Sequence, residues 1–220
     1  MTCKIISVVN QKGGAGKTTL STQLAGAFAV LDKYKILIVD ADTQGSATRW
    51  VVTAEEDSPF PAAVIGLGAA GKKIHIEVKK HTKDYDIIII DCPPAIESDA
   101  PQSALIISDL AIIPVVPSPP DLWATVGIKK LISYVEPLNE NLEKLLVMNM
   151  FQKNTTVGQE SNEALSEINI PVARSKIGQR TAFRKAAAYG VTVFDLGKEA
   201  TKAINEITNL SKEIKQILKI

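Results

Sequence analysis

The stretch "NQKGGAGKTT", residues 10–19, decides the fold of this chain of 220 residues. Three of the four residues 13–16 are glycine, which permits backbone angles that let successive N–H groups converge on phosphate oxygens. A helix that begins near Lys17 would add the positive end of its dipole to the same anion. Lys17 would then reach the β- and γ-phosphates of a nucleotide, and Thr18 would place its hydroxyl on Mg²⁺. The stretch therefore predicts a phosphate-binding loop between a strand and a helix.

The predicted nucleotide contacts extend over the whole loop. They are Lys12, Gly13, Gly14, Ala15, Gly16, Lys17, Thr18 and Thr19. In the common pattern G-x-x-x-x-G-K-[ST] the first glycine is replaced here by Gln11, so that the loop reads K-G-G-x-G-K-T-T. A loop of this kind usually needs one lysine, and here a second lysine, Lys12, lies at its mouth. The role of this second lysine must be explained separately.

Short apolar runs rich in Ile and Val follow the loop along the chain. They do not alternate with polar residues, which is typical of parallel strands covered on both faces. The runs span residues 4–9, 35–40, 85–91, 110–116 and 145–150. Helical patterns lie between them, and the clearest places five residues on one face: Leu20, Leu24, Ala27, Phe28 and Leu31. The order predicts an α/β protein, a three-layer P-loop fold with a mainly parallel sheet flanked by helices, as a single domain over residues 1–220.

Two further segments are expected to be helical. Residues 72–83 carry both an alternating apolar pattern and an i,i+4 pair, Ile74 with Val78, and we favour a helix. The segment 197–219 repeats apolar residues at helical spacing and predicts a terminal helix that faces the core. Its apolar residues are Ile204, Ile207, Leu210, Ile214 and Ile217.

Composition limits the classes of function. The formal net charge is +1, from 25 basic and 24 acidic residues, so no global field draws the protein onto nucleic acid or an acidic membrane. The two cysteines, Cys3 and Cys92, form no disulfide framework and are expected to be inert thiols in a reducing cytosol. Because no apolar segment reaches the roughly 18–20 residues of a membrane span, we expect a soluble, cytoplasmic protein.

Three aspartates follow predicted strands. Asp91 ends the run "YDIIIID", and its position predicts a residue that holds Mg²⁺, directly or through water. Asp40 and Asp42 come at the end of the run 35–40. The carboxyl ends of parallel strands are the places where α/β sheets present their ligands, so the sequence predicts that the three carboxylates gather beside the phosphate loop.

With these features the sequence resembles the deviant Walker A ATPases related to ParA and MinD. The resemblance implies ATP and Mg²⁺ as cofactors and a homodimer that forms with ATP. It also implies that Lys12 crosses the dimer interface and touches the phosphates bound by the partner. Two ammonium groups at one triphosphate would neutralise the charge that builds up during transfer, as a donated arginine does in other nucleotide hydrolases.

The same resemblance implies roles for other side chains. Asp40 would belong to the metal shell, with Thr18 and Asp91, or to its hydrogen-bond partners. Asp42 would orient or activate the attacking water, which gives Lys12, Lys17 and Asp42 as the catalytic set. Residues 44–46 would sense the γ-phosphate, although Thr43 replaces the proline that the family often has there.

Asn149, at the end of the last apolar run, is by family position a candidate contact for the adenine edge. An asparagine at a strand end can instead cap a turn. Both interpretations are compatible with the sequence.

Three functions are compatible with this fold: a ParA-type positioning ATPase, a MinD-type membrane-cycling ATPase, and a metabolic synthase of the dethiobiotin or cobyrinate type. Residues 114–132, "PVVPSPPDLWATVGIKKLI", resemble the short ParA proteins of the ParF type, in which a proline-rich loop leads into a dimer-contacting helix. Acids interleave with the lysines of the terminal helix, so its polar face is not strongly basic and no membrane partner is expected. Metabolic relatives do not generally carry a lysine like Lys12. The ParA-type function is therefore favoured, with a ParB-like or other adaptor protein and with a plasmid, chromosome or carboxysome as cargo.

A basic cluster predicts where DNA would bind. Its residues are Arg174, Lys176, Arg180, Arg184 and Lys185. No Asp or Glu lies between Ile170 and Phe194, so the cluster is expected to lack compensating acids and to give nonspecific, salt-sensitive binding to the nucleoid. The alternative is a solvated face with one arginine that contacts the nucleotide.

Overall fold

The protein is described by a computed structural model that covers residues 2–94, 98–152 and 169–220, without the side chains of residues 119–126. Its strands are β1 (Lys4–Val8), β2 (Ile36–Asp40), β3 (Ala63–Gly66), β4 (Ile87–Asp91), β5 (Leu110–Val115) and β6 (Glu143–Met148). They form one sheet in the order β3-β2-β4-β1-β5-β6. Every neighbouring pair is parallel, which confirms the predicted sheet.

Helices cover both faces of the sheet. They are α1 (Lys17–Asp32), α2 (Ser46–Val52), α3 (Ile74–Lys79), α4 (Asp99–Leu105), α5 (Pro119–Val135), α6 (Thr181–Tyr189) and α7 (Thr201–Leu218). Two 3₁₀ segments, Gly68–Lys73 and Val193–Ala200, lead into α3 and α7. Residues of α1, α2, α6 and α7 pack on one face of the sheet, and residues of α3, α4 and α5 pack on the other.

The isoleucines of β4 show why two covering layers are needed. Ile87 and Ile89 belong to the core beneath α1, whereas Ile88 and Ile90 belong to the core beneath α3 and α4. Successive side chains of a strand point to opposite faces, and all four are at most 1% exposed. A strand of this composition is stable only when helices exclude water from both of its sides.

The five predicted strands are confirmed, and β3 is the strand that the sequence pattern did not predict. It has four residues at the edge of the sheet, and its first and last residues, Ala63 and Gly66, are exposed. An edge strand that buries little apolar surface lacks the continuous Ile and Val run from which the other strands were predicted.

The helix predictions are confirmed with one correction. Segment 72–83 contains α3, and the terminal segment contains α7, whose Ile207, Leu210 and Ile214 are fully buried. In α1 the prediction was wrong for Leu31, which is 45% exposed. Leu31 lies one residue before the end of α1, in the last turn, and the core is filled by the residues of the earlier turns.

Both cysteines are free thiols in the described parts of the chain. Burial raises the pKa of the Cys92 thiol, and the nearby Asp91 carboxylate adds to this effect. Burial, with the charge of Asp109, raises the pKa of Cys3 to about 11. Both side chains therefore stay protonated at neutral pH, which makes them weak nucleophiles.

Candidate active site

The glycine loop connects β1 to α1 and approaches the end of β6 very closely. Gly16 has φ of 88° and caps the amino end of α1. A Cβ atom at this position would lie 2.1 Å from Nδ2 of Asn149. Both the left-handed backbone and the lack of space therefore require glycine here, and the loop is held against the sheet.

Asn149 braces the loop from behind. Its side chain is 4% exposed, and its Nδ2 donates a hydrogen bond of 2.8 Å to the carbonyl of Ala15. Its own backbone N–H donates to Val115 O on the neighbouring strand. This bracing contact was not predicted from the sequence, and the predicted contact of Asn149 with an adenine edge stays a prediction.

Lys17 lies inside the loop. The side chain is 7% exposed, and Nζ donates a hydrogen bond of 3.2 Å to the backbone carbonyl of Lys12. Burial lowers the pKa of Lys17, and the carboxylate of Asp91 opposes that shift. A phosphate group would supply a stronger partner for this ammonium than a carbonyl does.

The backbone of Lys12 is fixed by neighbouring polar groups. Its N–H donates to Oδ1 of Asn10 at 2.9 Å, and Nδ2 of Asn10 donates to Pro114 O at 2.5 Å. The mouth of the loop is therefore anchored to β5. The predicted reach of the Lys12 side chain into a partner subunit stays a prediction.

Thr18 and Asp91 form the centre of the predicted metal site. Thr18 Oγ1 donates to Asp91 Oδ2 at 2.6 Å, and Ser21 Oγ donates to Asp91 Oδ1 at 3.2 Å. Burial raises the pKa of Asp91 to about 7, while the hydrogen bond from Thr18 lowers it. Within residues 2–94, 98–152 and 169–220, no group of three or more His, Cys, Asp or Glu side chains could hold a metal ion. One carboxylate and one hydroxyl fit Mg²⁺, which usually keeps several waters and takes its other ligands from phosphates.

Asp40 lies beside Asp91, because β2 and β4 pair with these two residues in register. It is fully buried. Its Oδ1 accepts from the N–H of Asp42 at 3.3 Å, and its Oδ2 accepts from the N–H of Thr48 at 2.8 Å. One oxygen is thus engaged by the loop after β2 and the other by the first turn of α2, which favours the second role considered for Asp40, a hydrogen-bond partner rather than a direct metal ligand.

Asp42 belongs to that loop and faces the phosphate region. Its Oδ1 accepts from the N–H of Gln44 at 2.9 Å, and its side chain is half-buried. The backbone behind it touches the 3₁₀ segment, where a Cβ on Gly68 would lie 2.7 Å from Asp42 O. Asp42 lines the cavity beside the glycine loop, and its predicted role in orienting water stays a prediction.

Two neighbouring cavities lie beside the glycine loop. One, of about 430 Å³, is lined by the glycine loop, Asp42 and Ser46. The other, of about 170 Å³, is lined by Asn149, Phe183 and Arg184, among others. Thr19 and Met150 line both cavities, so a ligand with its phosphates in the first could place a base in the second.

Helix α2 follows the loop after β2 in the chain and packs against the end of α6. Trp50, on α2, lines the phosphate cavity and donates a hydrogen bond of 3.1 Å from Nε1 to Val191 O. Gly190, at the end of α6, has φ of +67°, and a Cβ there would lie 2.3 Å from Ala54 N and 2.7 Å from Trp50 O. The two helices are therefore in backbone contact.

The predicted cluster of residues 174–185 does not lack compensating acids, so that prediction was wrong. The acids come from α7 and from the 3₁₀ segment before it, and three of the five basic residues are paired. The pairs are Arg174 with Glu213, Arg180 with Glu206, and Lys185 with Glu199. Lys176 Nζ lies 4.7 Å from the centre of the Phe151 ring.

Arg184 is exposed and lines the smaller cavity. This position favours the alternative considered from the sequence, in which one arginine of the cluster contacts the nucleotide. The remaining basic residues form a surface that is largely neutralised by neighbouring carboxylates.

Known proteins share both the sequence pattern and the fold. Residues 6–193 match the family model described as the CobQ/CobB/MinD/ParA nucleotide binding domain. The chain is 28% identical to the "Maintenance of carboxysome distribution protein A" of Halothiobacillus neapolitanus, over 95% of both chains. It is 27% identical to the chromosome-partitioning ATPase Soj of Thermus thermophilus, over 86% of both chains. A complex of a substituted McdA from Cyanothece with ATP has the same fold, with a TM-score of 0.79 at 17% identity over 100% of this chain and 97% of that chain.

Proposed function

This chain belongs to the CobQ/CobB/MinD/ParA family of nucleotide-binding domains, and we propose that it is a ParA-type ATPase that positions a cellular cargo. It takes ATP and Mg²⁺ and hydrolyses ATP to ADP and phosphate. The ATP-bound chain forms a homodimer that binds DNA without sequence preference, and an adaptor protein stimulates hydrolysis and release. The observation that carries this proposal is the loop with two lysines, in which Lys17 is buried against the backbone of Lys12 at the loop mouth.

The residues of the loop bind and orient the nucleotide. Backbone N–H groups of residues 13–18 hold phosphate oxygens, and the Lys17 ammonium exchanges its carbonyl partner for the phosphate anion. Thr18 and Asp91 would hold Mg²⁺, which supplies positive charge to the phosphoryl group during transfer. Asp42 orients the attacking water, and Asp40 keeps the loop that carries Asp42 in place by accepting hydrogen bonds from the N–H of Asp42 and from the N–H of Thr48 on α2.

In this proposal, Lys12 makes ATP hydrolysis depend on dimerisation. Its ammonium reaches the triphosphate held by the partner subunit, so that the second positive charge is present only in the dimer. Nucleotide binding then shifts the equilibrium between monomer and dimer, because it stabilises one state more than the other.

A protein organelle of the carboxysome kind is the cargo that we propose first. The similarity to the carboxysome distribution protein extends over 95% of both chains, which supports this choice. The similarity to the chromosome-partitioning ATPase Soj makes a DNA cargo the second candidate. The adaptor would be a ParB-like protein in the second case and an organelle-associated protein in the first.

The structure of α7 bears on the membrane-cycling alternative. Its apolar residues Ile207, Leu210, Ile214 and Leu218 are at most 6% exposed and belong to the core. An interfacial membrane anchor needs such residues on a free face. Among the described residues, no helix is long and apolar enough to cross a membrane.

Substitution of Lys12 tests the proposal. Lys12→Ala is expected to retain nucleotide binding, since Lys17 and the loop are unchanged, but to lose ATP-dependent dimerisation and most ATP turnover. Size-exclusion chromatography with ATP and a phosphate-release assay measure both effects. Lys212→Ala, at an exposed position on α7, is the matched control. A wild-type chain that stays monomeric with ATP, or a Lys12→Ala variant that dimerises and hydrolyses normally, would contradict the proposal.

A further inference from the structure

A second basic surface lies on the opposite helical layer from the cluster 174–185. We call it the lysine face, the exposed side of residues 72–83. Its members are Lys72, Lys73, Ile76, Lys79, Lys80 and Lys83, all exposed. Their spacing of three to four residues places them along one side of α3 and the turns that flank it. Ile74 and Val78, on the other side, are fully buried.

Most charges of the lysine face have no ion-pair partner among the described residues. Within the described parts of the chain, its one ion pair joins Lys80 to Glu77, both on the same segment. The segment 72–83 carries five lysines against that one glutamate. The cluster 174–185 has a similar number of basic residues, but three of them are paired with acids of α7 and the preceding segment. The structure therefore reverses the expectation from the sequence about which segment presents free positive charge.

The lysine face is held rigidly from behind. Ser103, on α4, is 3% exposed. Its Oγ donates to the backbone carbonyl of Lys72 at 3.0 Å and accepts from the N–H of His75 at 3.0 Å. His75 Nδ1 lies 2.8 Å from the same oxygen. A backbone that is fixed before binding loses little conformational freedom when a ligand arrives.

The lysine face is also connected to the nucleotide site. The 3₁₀ segment that carries Lys72 and Lys73 begins at Gly68, in close contact with the backbone of Asp42. The N–H of Leu67 donates to Asp40 O at 2.7 Å. The segment that leads to the lysines therefore begins directly against the loop after β2.

We propose that the lysine face contacts the phosphate backbone of nucleic acid, without sequence preference. This inference rests on the proposed function and gives it a binding surface different from the one predicted from the sequence. Lysines act as point charges toward phosphates, and contacts of this kind supply nonspecific binding by counterion release. Lysine is depleted at protein–protein interfaces, where aromatic residues and arginine are enriched. Anchoring at a membrane surface needs several bulky apolar residues, and this face exposes one, Ile76, at 49%.

The test removes four charges from the face and compares DNA affinity at several salt concentrations. The variant is Lys72→Gln, Lys73→Gln, Lys79→Gln and Lys83→Gln; Lys80 is kept because it is paired. The matched control removes four exposed lysines elsewhere: Lys33→Gln, Lys202→Gln, Lys212→Gln and Lys219→Gln. With ATP, the face variant is expected to bind duplex DNA at least about tenfold more weakly, and its plot of log affinity against log salt is expected to be shallower by about 3 to 4 per subunit. The control is expected to keep most of the wild-type DNA affinity and most of the wild-type salt dependence.

The possible outcomes separate this inference from the proposed function. ATP-dependent dimerisation of the face variant, measured by size-exclusion chromatography, shows that it is folded and binds nucleotide. If that variant dimerises and binds DNA like the wild type, the inference is overturned while the proposed function stands. A wild-type chain that dimerises but binds no DNA contradicts the DNA step of the proposed function and the inference with it. Binding of poly-glutamate or anionic vesicles through these lysines, without DNA binding, likewise overturns the inference.

Discussion

In the nucleotide site, charged side chains lie at the carboxyl ends of adjacent strands, where they are buried and fixed by hydrogen bonds. Asp40 and Asp91 are examples. In the cluster 174–185 they lie near the surface and are paired with acids that follow much later in the chain. The roles in the first region follow from local sequence, because strand ends and the glycine loop bring these groups together. The charge of the second region depends on how α7 packs. Changes in the first region should therefore have large effects, and changes in the second small ones.

The largest effect is expected at Thr18. Thr18→Ala removes the hydroxyl that lies 2.6 Å from Asp91 Oδ2 and that would share Mg²⁺ with it. Since metal stabilisation of the transferring phosphoryl group is worth several kcal/mol, we expect ATP turnover to fall about 100-fold or more. Steady-state phosphate release at saturating ATP and Mg²⁺ measures the loss.

Two further variants sharpen the Thr18 prediction. Thr18→Ser keeps the hydroxyl and is expected to restore most of the turnover. Ser21→Ala removes the other hydroxyl on Asp91, which lies at 3.2 Å from Oδ1, and is expected to have a much smaller effect. Equal losses in Thr18→Ala and Ser21→Ala would mean that both hydroxyls only support the carboxylate.

A large loss of stability is expected where the two regions meet, at Gly190. In Gly190→Ala the new Cβ would collide with backbone atoms of residues 50–54, at 2.3 Å from Ala54 N, and the φ of +67° adds strain. We expect the free energy of unfolding to fall by about 3 kcal/mol, measured by urea denaturation. Gly45→Ala, with a φ of +64° but open space around it, is the control and should lose only about 1 kcal/mol. Equal losses would show that the contact between α2 and α6 relaxes easily.

A moderate effect on nucleotide affinity is expected from substitution of Asn149. The measurement distinguishes a role in bracing the loop from a role in contacting adenine. Asn149→Ala removes the hydrogen bond to Ala15 O, which should weaken nucleotide binding about tenfold, because the loop loses one buried brace. Isothermal titration with ATP and with inorganic triphosphate distinguishes the roles. A brace weakens both ligands alike, whereas an adenine contact weakens ATP alone, which would contradict the bracing role.

The smallest effect is expected at Glu206. Glu206→Gln removes the acid whose Oε2 accepts from Arg180 Nε at 2.9 Å, and leaves one more free cation per subunit. We expect DNA affinity with ATP to rise by about threefold. Glu136→Gln, which changes an exposed acid paired with Lys144, is the control. A rise of tenfold or more with Glu206→Gln would show that the cluster 174–185, once freed, is a main DNA surface and would remove the contrast between the two regions.

These differences explain how much the sequence could predict. The glycine loop, the strand-end aspartates and five of the six strands follow from short-range patterns: Ile and Val runs, glycine spacing and position at a strand end. β3 has too little apolar surface for that signal. The bracing role of Asn149 could not be predicted, because it depends on the distance between the loop and the end of β6. The pairing of Arg180 with Glu206 depends on tertiary packing across 26 residues, which charge counting along the chain cannot detect.

The hydrogen bond from Trp50 to Val191 O has a practical consequence. Indole emission is sensitive to its surroundings, and Trp50 is 8% exposed, directly beside the phosphate cavity. The chain has one other tryptophan, Trp123, so Trp123→Phe would leave a single fluorophore on α2. Such a protein would carry its own optical reporter, and stopped-flow mixing with ATP could then time nucleotide binding without any attached dye.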